Sequence, residues 1–284
     1  MTRLVAGALV AVLVAITSGC ELGQDDEMAP RPTRTVTKFP SPAPTTTAAP
    51  TRIPVGQGRI SPEGVVWAQE STLHFGTRQV DVSPLRIDSF VVVAGGVFFV
   101  SRGELWFTDL SRVRGTGFMG VTRVSTTRDA GALLVESSAG SAGVYAFDLA
   151  TGASMPPAQV EAATDEDLRG TPERVVLRPA GSNPAAPSAA PVDARLGPGR
   201  FGVVGGDDER LVVFDATTRK RVPLKGVMGN GFQLVRWQGR SAFFGVALDN
   251  GKPLAVLNCN LSNRSCTTLG KPVEGRSLVF ESAA

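Results

Sequence analysis

The sequence predicts an all-β body made of small, repeated antiparallel sheets, and three observations predict it. From residue 60 onward there are many runs of four to seven β-favouring residues, with no convincing stripe of helical period apart from a doubtful short one at 159–169. Turn chemistry is dense: 32 of the 284 residues are Gly and 20 are Pro, residues that punctuate a chain reversing direction often. Finally, the runs 105–110 (LWFTDL), 144–149 (VYAFDL) and 211–216 (LVVFDA) each carry apolar residues into an aspartate and then a polar turn. With 42% hydrophobic and 19% charged residues, the chain can build a core and is not wholesale disordered.

The first element is an export signal over residues 1–19. Arg3 gives a positive start, residues 4–16 are an unbroken apolar run, and Thr17, Ser18 and Gly19 are small residues leading to Cys20. Those thirteen residues would rise only about 20 Å as a helix against a hydrocarbon core of roughly 30 Å, so cleavage is expected rather than a stable span. Thr17-Ser18-Gly19-Cys20 resembles the lipobox of bacterial lipoproteins, with Thr17 where leucine is usual. That resemblance implies diacylglycerol on Cys20. Two acyl chains, at about 0.8 kcal/mol per buried methylene, hold a protein durably where one would not.

Residues 20–55 read as a tether. Seven prolines fall between Pro30 and Pro54, seven threonines between Thr33 and Thr51, and Phe39 is the sole aromatic residue. Such a composition favours extended polyproline II and cannot bury a core; it would reach up to about 100 Å. It leaves O-glycosylation open.

Residues 56–284 carry the repeated sheets. The clearest block places strands at 90–93, 97–100 and 104–107, separated by Gly-containing turns. Asp109, Asp148 and Asp215 close their strands, and Asn260 occupies the same slot. A carboxylate or amide oxygen there can accept backbone N–H bonds and hold the turn shut. Asp109 to Asp148 is 39 residues and Asp215 to Asn260 is 45, close to the length of a four-stranded propeller blade, whereas Asp148 to Asp215 is 67. The surplus coincides with the Ala/Ser/Pro-rich run 179–191, a surface insertion. At about 45 residues a blade, the body holds about five four-stranded blades, or six short ones. Residues 60–81 supply a degenerate first unit and 276–281 a lone final strand. A ring of this kind lets each small sheet cover both faces against neighbours.

Lipobox, Thr/Pro tether and strand-Asp-turn hairpins together resemble the propeller lipoproteins of GC-rich Gram-positive bacteria, loosely similar to TolB-like and WD-repeat domains. The 24 Arg against five Lys suit such a genome. The resemblance implies location and fold; Gly-His and Trp-Asp repeat signatures are absent, and no functional residues carry over.

With Cys20 lipidated, Cys259 and Cys266 are left as an even pair outside the membrane, where disulfides persist. Six residues with central turn-formers separate them, so a structural bridge across a hairpin is expected. A redox or metal-binding pair is the alternative, in a chain with one histidine and no CxxC. Gly115, Gly117 and Gly120 satisfy GxGxxG, but a strand-like run follows where a dinucleotide site needs a helix, so an inter-blade loop is expected. The acidic clusters 165–167 and 207–209 read as solvated turns, and the basic cluster Arg219, Lys220, Arg221 as an exposed hairpin tip or a contact for anionic lipid or wall polymer. Trp67, Trp106 and Trp237 are expected in the core, and His74 at the surface or in packing rather than as a ligand.

The net charge of +3 is too small for a nucleic-acid footprint, and no metal, cofactor or catalytic constellation is expected. The expected function is that of a non-catalytic binding module on the extracytoplasmic face of the cell membrane. Its partners would be membrane lipid, through acylated Cys20, and an envelope protein or glycan. A carbohydrate-active or hydrolytic propeller using paired carboxylates and a purely architectural envelope lipoprotein are the alternatives.

Overall fold

The computed structural model describes residues 34–36, 50–56, 66–76, 78–138, 143–178 and 190–281. The expected signal segment, Cys20, most of the tether and residues 179–189 of the insertion lie outside them. The described residues belong to one compact unit.

The body is an all-β propeller of five sheets, antiparallel apart from one edge strand. The first sheet contains β1 (Arg34–Val36), β2 (Val66–Gln69), β3 (Thr72–Phe75) and β4 (Arg78–Asp81). The second is the meander β5 (Ser89–Val93), β6 (Gly96–Ser101), β7 (Glu104–Thr108) and β8 (Val113–Met119). The third repeats it with β9 (Val121–Thr126), β10 (Ala132–Ser137), β11 (Gly143–Asp148) and β12 (Ser154–Met155). A single-turn helix, α1 (Asp165–Arg169), leads into the fourth sheet. That sheet holds β13 (Thr171–Val175), β14 (Val192–Leu196), β15 (Phe201–Gly206), β16 (Glu209–Asp215) and β17 (Arg221–Val222). The fifth is β18 (Gly231–Gln238), β19 (Ala242–Asp249), β20 (Lys252–Asn260) and β21 (Ser265–Gly270). The last strand, β22 (Leu278–Phe280), returns to the first sheet and pairs antiparallel with β2, Trp67 opposite Phe280 and Gln69 opposite Leu278.

That return closes the ring, and one buried amide fixes it. Gln69 donates from Nε2 to the carbonyls of Val273 at 2.9 Å and Arg276 at 3.2 Å, and its Oε1 accepts from Val273 N at 2.9 Å. A buried primary amide needs several partners at once, and the connection into β22 supplies them.

Apolar clusters glue neighbouring sheets. Leu73, Ile87, Phe90 and Phe99 join the first to the second; Phe98, Phe107, Leu133 and Phe147 join the second to the third. Phe201, Leu211, Phe232 and Phe243 join the fourth to the fifth, and Trp67 with Phe244 and Val256 joins the fifth to the first. Each large side chain buried this way contributes about 1.5–3 kcal/mol. Among the described residues the third and fourth sheets share no such cluster. The third sheet instead meets the segment that leads into the fourth: Arg128 lies 3.4 Å from Glu161 and 3.1 Å from Asp167 of α1, and its N donates to Glu161 O at 3.1 Å. Val175, Leu177, Ala194 and Phe214 form the fourth sheet's own core.

The structure differs from the sequence reading in four places. The tether enters the fold before residue 56: Ile53 is 5% exposed in the cluster between the second and third sheets, its amide bonds Gly152 O at 2.9 Å, and Arg34–Val36 runs parallel to β4. A branched apolar residue gains more in that cluster than a Pro-rich context costs. Secondly, the first and fourth sheets have five strands because β1 and the β13–β14 ribbon add edges. Thirdly, Gly115 and Gly117 lie in the outer strand β8 rather than in a loop. Thr116 and Gly117 bulge out between the pairs Leu105–Phe118 and Trp106–Gly115, and Gly117 takes φ +76°, a conformation that costs glycine little. Lastly, the cluster 165–167 forms the first turn of α1, with a reciprocal Thr164–Asp167 capping box.

Asp148 Oδ1 accepts from Ala150 N at 3.1 Å, Thr151 N at 2.7 Å and Thr151 Oγ1 at 2.7 Å. Asp109 binds Ser111 and Arg112 in the same way, Asp215 binds Thr217 and Thr218, and the Asn260 amide oxygen accepts from Ser262 and Asn263. Burial pushes the Asp109 carboxyl up, but the Ser111 and Arg112 bonds and the Arg114 charge outweigh it and leave it below the usual carboxylate value. Cys259 and Cys266 stand directly opposite each other on β20 and β21, Cα atoms 4.0 Å apart, and form a disulfide.

Two outcomes follow. In denaturant without reductant, mass spectrometry finds Cys259 and Cys266 unalkylated, and both react after reduction. Asp109→Ala lowers stability by about 1 kcal/mol, the size of a lost cap, while Asp109→Asn retains most of it, as measured by urea unfolding.

Candidate functional site: the cleft between the fourth and fifth sheets

The β13–β14 ribbon leans away from β15, pairing with it only through Arg195–Val203 and Leu196–Gly202. A cleft of about 350 Å³ opens there against β18 of the fifth sheet. Ala194, Val203, Phe232 and Leu234 give it an apolar lining, and Glu173, Arg174, Asp193 and Arg195 a charged one. An apolar concavity with a few convergent polar groups is the usual form of a binding site.

Local folding places these charges. Alternation along β13 and β14 puts Arg174 opposite Asp193 and Glu173 opposite Ala194, so Glu173 and Asp193 belong to opposite faces of the ribbon. Arg174 Nε lies 3.4 Å from Asp193 Oδ1, and Arg219 binds Glu173 at 2.7 Å. At the head of α1, Asp165 takes Arg169 on Oδ1 at 2.8 Å and Arg195 on Oδ2 at 3.0 Å. The helix end is pinned by Trp237, whose indole N–H donates to Arg169 O at 3.1 Å. The Arg174–Asp193 pair is well exposed, at 74% and 91%, and worth little to stability, so an incoming ligand can exchange with it.

The same strand β18 carries a more buried ion pair. Glu281, just past β22, binds the Arg236 guanidinium of β18 with one oxygen and the Val92 amide of β5 with the other, the latter at 3.1 Å. These side chains are 13% and 14% exposed. Burial pushes the Glu281 carboxyl above its usual value, against the Arg236 charge and the Val92 hydrogen bond. One carboxylate therefore ties three sheets together: the first through β22, the second through β5 and the fifth through β18.

Most residues singled out in the sequence lie away from this cleft; Asp165 and Arg219 reach it, through Arg195 and Glu173. His74 lies in the first sheet, stacked on Trp67 with ring centroids 3.6 Å apart and planes 2° from parallel. Burial lowers its pKa to about 4, so it is neutral across the physiological range. Trp67 and Trp237 are buried, whereas Trp106 is partly exposed on the second sheet. Asp109, Asp148, Asp215 and Asn260 hold turns. Among the described residues no three His, Cys, Asp or Glu side chains group as a metal site. Sequence reasoning read Asp165 only as part of a solvated turn and missed Arg195, Arg236 and Glu281; an available signal was charge at the edges of strand-like runs, as in Glu281 after Leu278, Val279 and Phe280.

No family model and no curated protein matches the sequence. Solved structures give distant likenesses. A dihydro-heme d1 dehydrogenase, NirN, aligns at 12% identity and TM-score 0.28 over 76% of this chain, which spans about half of that one, 55%. A computationally designed protein, Ika8, aligns at 12% identity and TM-score 0.22 over 70% of this chain and 51% of its own. A Saccharomyces cerevisiae assembly of dbp5 with nup159 and gle1 aligns at 11% identity and TM-score 0.27, over 88% and 85%. At these scores the likenesses carry nothing about ligand or activity, and the fold rests on the five sheets themselves.

Removing Arg236 leaves a buried carboxylate without its cation. Arg236→Met is expected to cost about 3–5 kcal/mol in chemical unfolding, with Arg236→Met/Glu281→Leu recovering most of it. The single variant's deficit shrinks as pH falls toward 4.5, the ordinary value for Glu281, because the protonated acid carries no buried charge. His74 acts in the other direction. Its folded pKa of about 4 lies below the ordinary 6.5, so the stability it contributes is complete above 6.5 and declines as pH falls toward 4. His74→Phe removes that part of the pH dependence, measured by thermal unfolding across the window.

Proposed function

We propose that this chain is a lipid-anchored, extracytoplasmic propeller that binds an envelope component, protein or glycan, and performs no chemistry on it. The observation that carries the reading is the cleft itself: an apolar lining rimmed by carboxylates that each face an arginine. Such a rim can trade its internal ion pairs for pairs with a ligand. General acid-base chemistry wants an acid and a base aimed at one bond, whereas Glu173 and Asp193 alternate across the ribbon and are occupied by Arg219 and Arg174. The location draws on the export signal and on Cys20, whose acylation would hold the propeller at the membrane surface.

The test uses the native membrane. Photo-crosslinking from a residue at the mouth of the cleft, such as Arg174, is expected to capture a discrete envelope partner. Leu234→Glu, which puts a charge on the apolar lining, reduces that capture at least tenfold with the unfolding midpoint unchanged. No capture above background, or capture indifferent to Leu234→Glu, contradicts the binding role. Intact-mass analysis of the membrane-extracted chain finds diacylglycerol on Cys20; an unmodified Cys20 contradicts the anchor.

A further inference from the structure

A second cleft, of about 440 Å³, lies between the same two sheets, and its character is opposite to the first. Arg200, Lys220, Arg221 and Arg264 line it, against a single carboxylate, Asp215. That carboxylate is already employed. Its Oδ1 accepts from Thr217 N at 3.0 Å, Thr218 N at 2.8 Å and Thr218 Oγ1 at 3.1 Å, and Oδ2 faces Arg200 at 3.6 Å. Among the described residues no carboxylate comes within 4.0 Å of the charged groups of Lys220, Arg221 or Arg264. Three cations sharing a concavity repel one another, an arrangement that an anion relieves.

The four cationic side chains are exposed, and the backbone that carries them is fixed. Arg264 sits at the tip of the β20–β21 hairpin, at φ +55°, and the Cys259–Cys266 disulfide crosses that hairpin one residue pair below the pair that flanks the turn. The segment leading from the fourth sheet to the fifth is tied to the same tip: Lys225 N donates to Arg264 O at 3.0 Å, and Cys266 N donates to Lys225 O at 2.8 Å. On the other wall, Asp215 N donates to Lys220 O at 2.9 Å. Phe201 and Leu261, both in the shared core, form the floor, and the Arg200 guanidinium lies 5.0 Å from the Phe201 ring centroid.

We propose that this cleft is an anion site for a phosphate group, presented either free or as the headgroup of an anionic lipid. Guanidinium forks from separate walls match the several oxygens of a phosphate, which accept from them in pairs. The charge supplied by Lys220 and Arg221 adds long-range attraction that falls with salt. This site is separate from the apolar cleft and does not depend on the role assigned there.

The full chain in neutral detergent is titrated calorimetrically with inorganic phosphate, and separately with a short-chain phosphatidylglycerol below its micelle concentration. Saturable binding of either probe is expected. It weakens at least tenfold in Arg221→Gln/Arg264→Gln, weakens with added sodium chloride, and is unchanged in Arg86→Gln, an exposed arginine of the first half of the chain. Binding of both probes assigns a phosphate site open to free ligand, and binding of the lipid alone assigns a headgroup site. If neither probe binds at millimolar concentration, or if the double variant binds as the parent does while retaining its unfolding midpoint, the proposal is overturned. Should the double variant fail to fold, Lys220→Gln, on the exposed side of the same wall, is read by the same criterion.

Discussion

The pairing of β22 with β2 is the constraint on which the rest of the structure depends. A four-stranded sheet of five-residue strands cannot hide two apolar faces alone; stacked in a line, the end sheets would leave theirs in water. By sending residues 278–280 back beside Trp67, Ala68 and Gln69, the chain turns a row into a ring. Gln69 fixes the approach to β22, and Glu281 fixes its far end against the second and fifth sheets. Closure thus relies on a strand pairing, a buried amide and a buried ion pair, whose hydrogen bonds are lost together if the final strand detaches.

Both clefts lie between the fourth and fifth sheets. Among the described residues four neighbouring sheet pairs share apolar clusters, while the third and fourth share none, Arg128 reaching instead to α1 in the segment between them. Among the described residues the fourth sheet has a core cluster of its own and carries an additional ribbon. The ribbon, set against β18, makes the apolar cleft; the sheet's opposite edge at β17, set against the disulfide hairpin, makes the basic one. A single irregular sheet therefore offers two surfaces of different chemistry.

Much of the body was legible because its signals are local. The aspartates closing 105–110, 144–149 and 211–216 mark strand ends, since their bonds run to amides two and three residues ahead. The disulfide was legible because two cysteines flank one turn. Binary patterning placed the meander of the second sheet to within a residue or two. What sequence could not supply is long-range. Glu281 meets Val92 across 189 positions and Arg236 across 45, and neither partner has any mark of its own. Ile53 looks like part of a Pro-rich tether because its partners are in the second and third sheets. The apolar cleft exists only once β13 and β14 pair across a stretch whose composition announces an insertion.

The central claim is that the last strand locks the ring as part of one cooperative unit. Native-state hydrogen exchange tests it directly, by following the amides of residues 278–281 alongside those of β2 and β19. The account predicts that all three sets exchange with the same opening free energy and the same denaturant dependence, because losing β22 exposes the faces of the first and fifth sheets together. Exchange of 278–281 through a small local opening, with β2 and β19 fully protected, would show an accessory strand on a ring closed by other means.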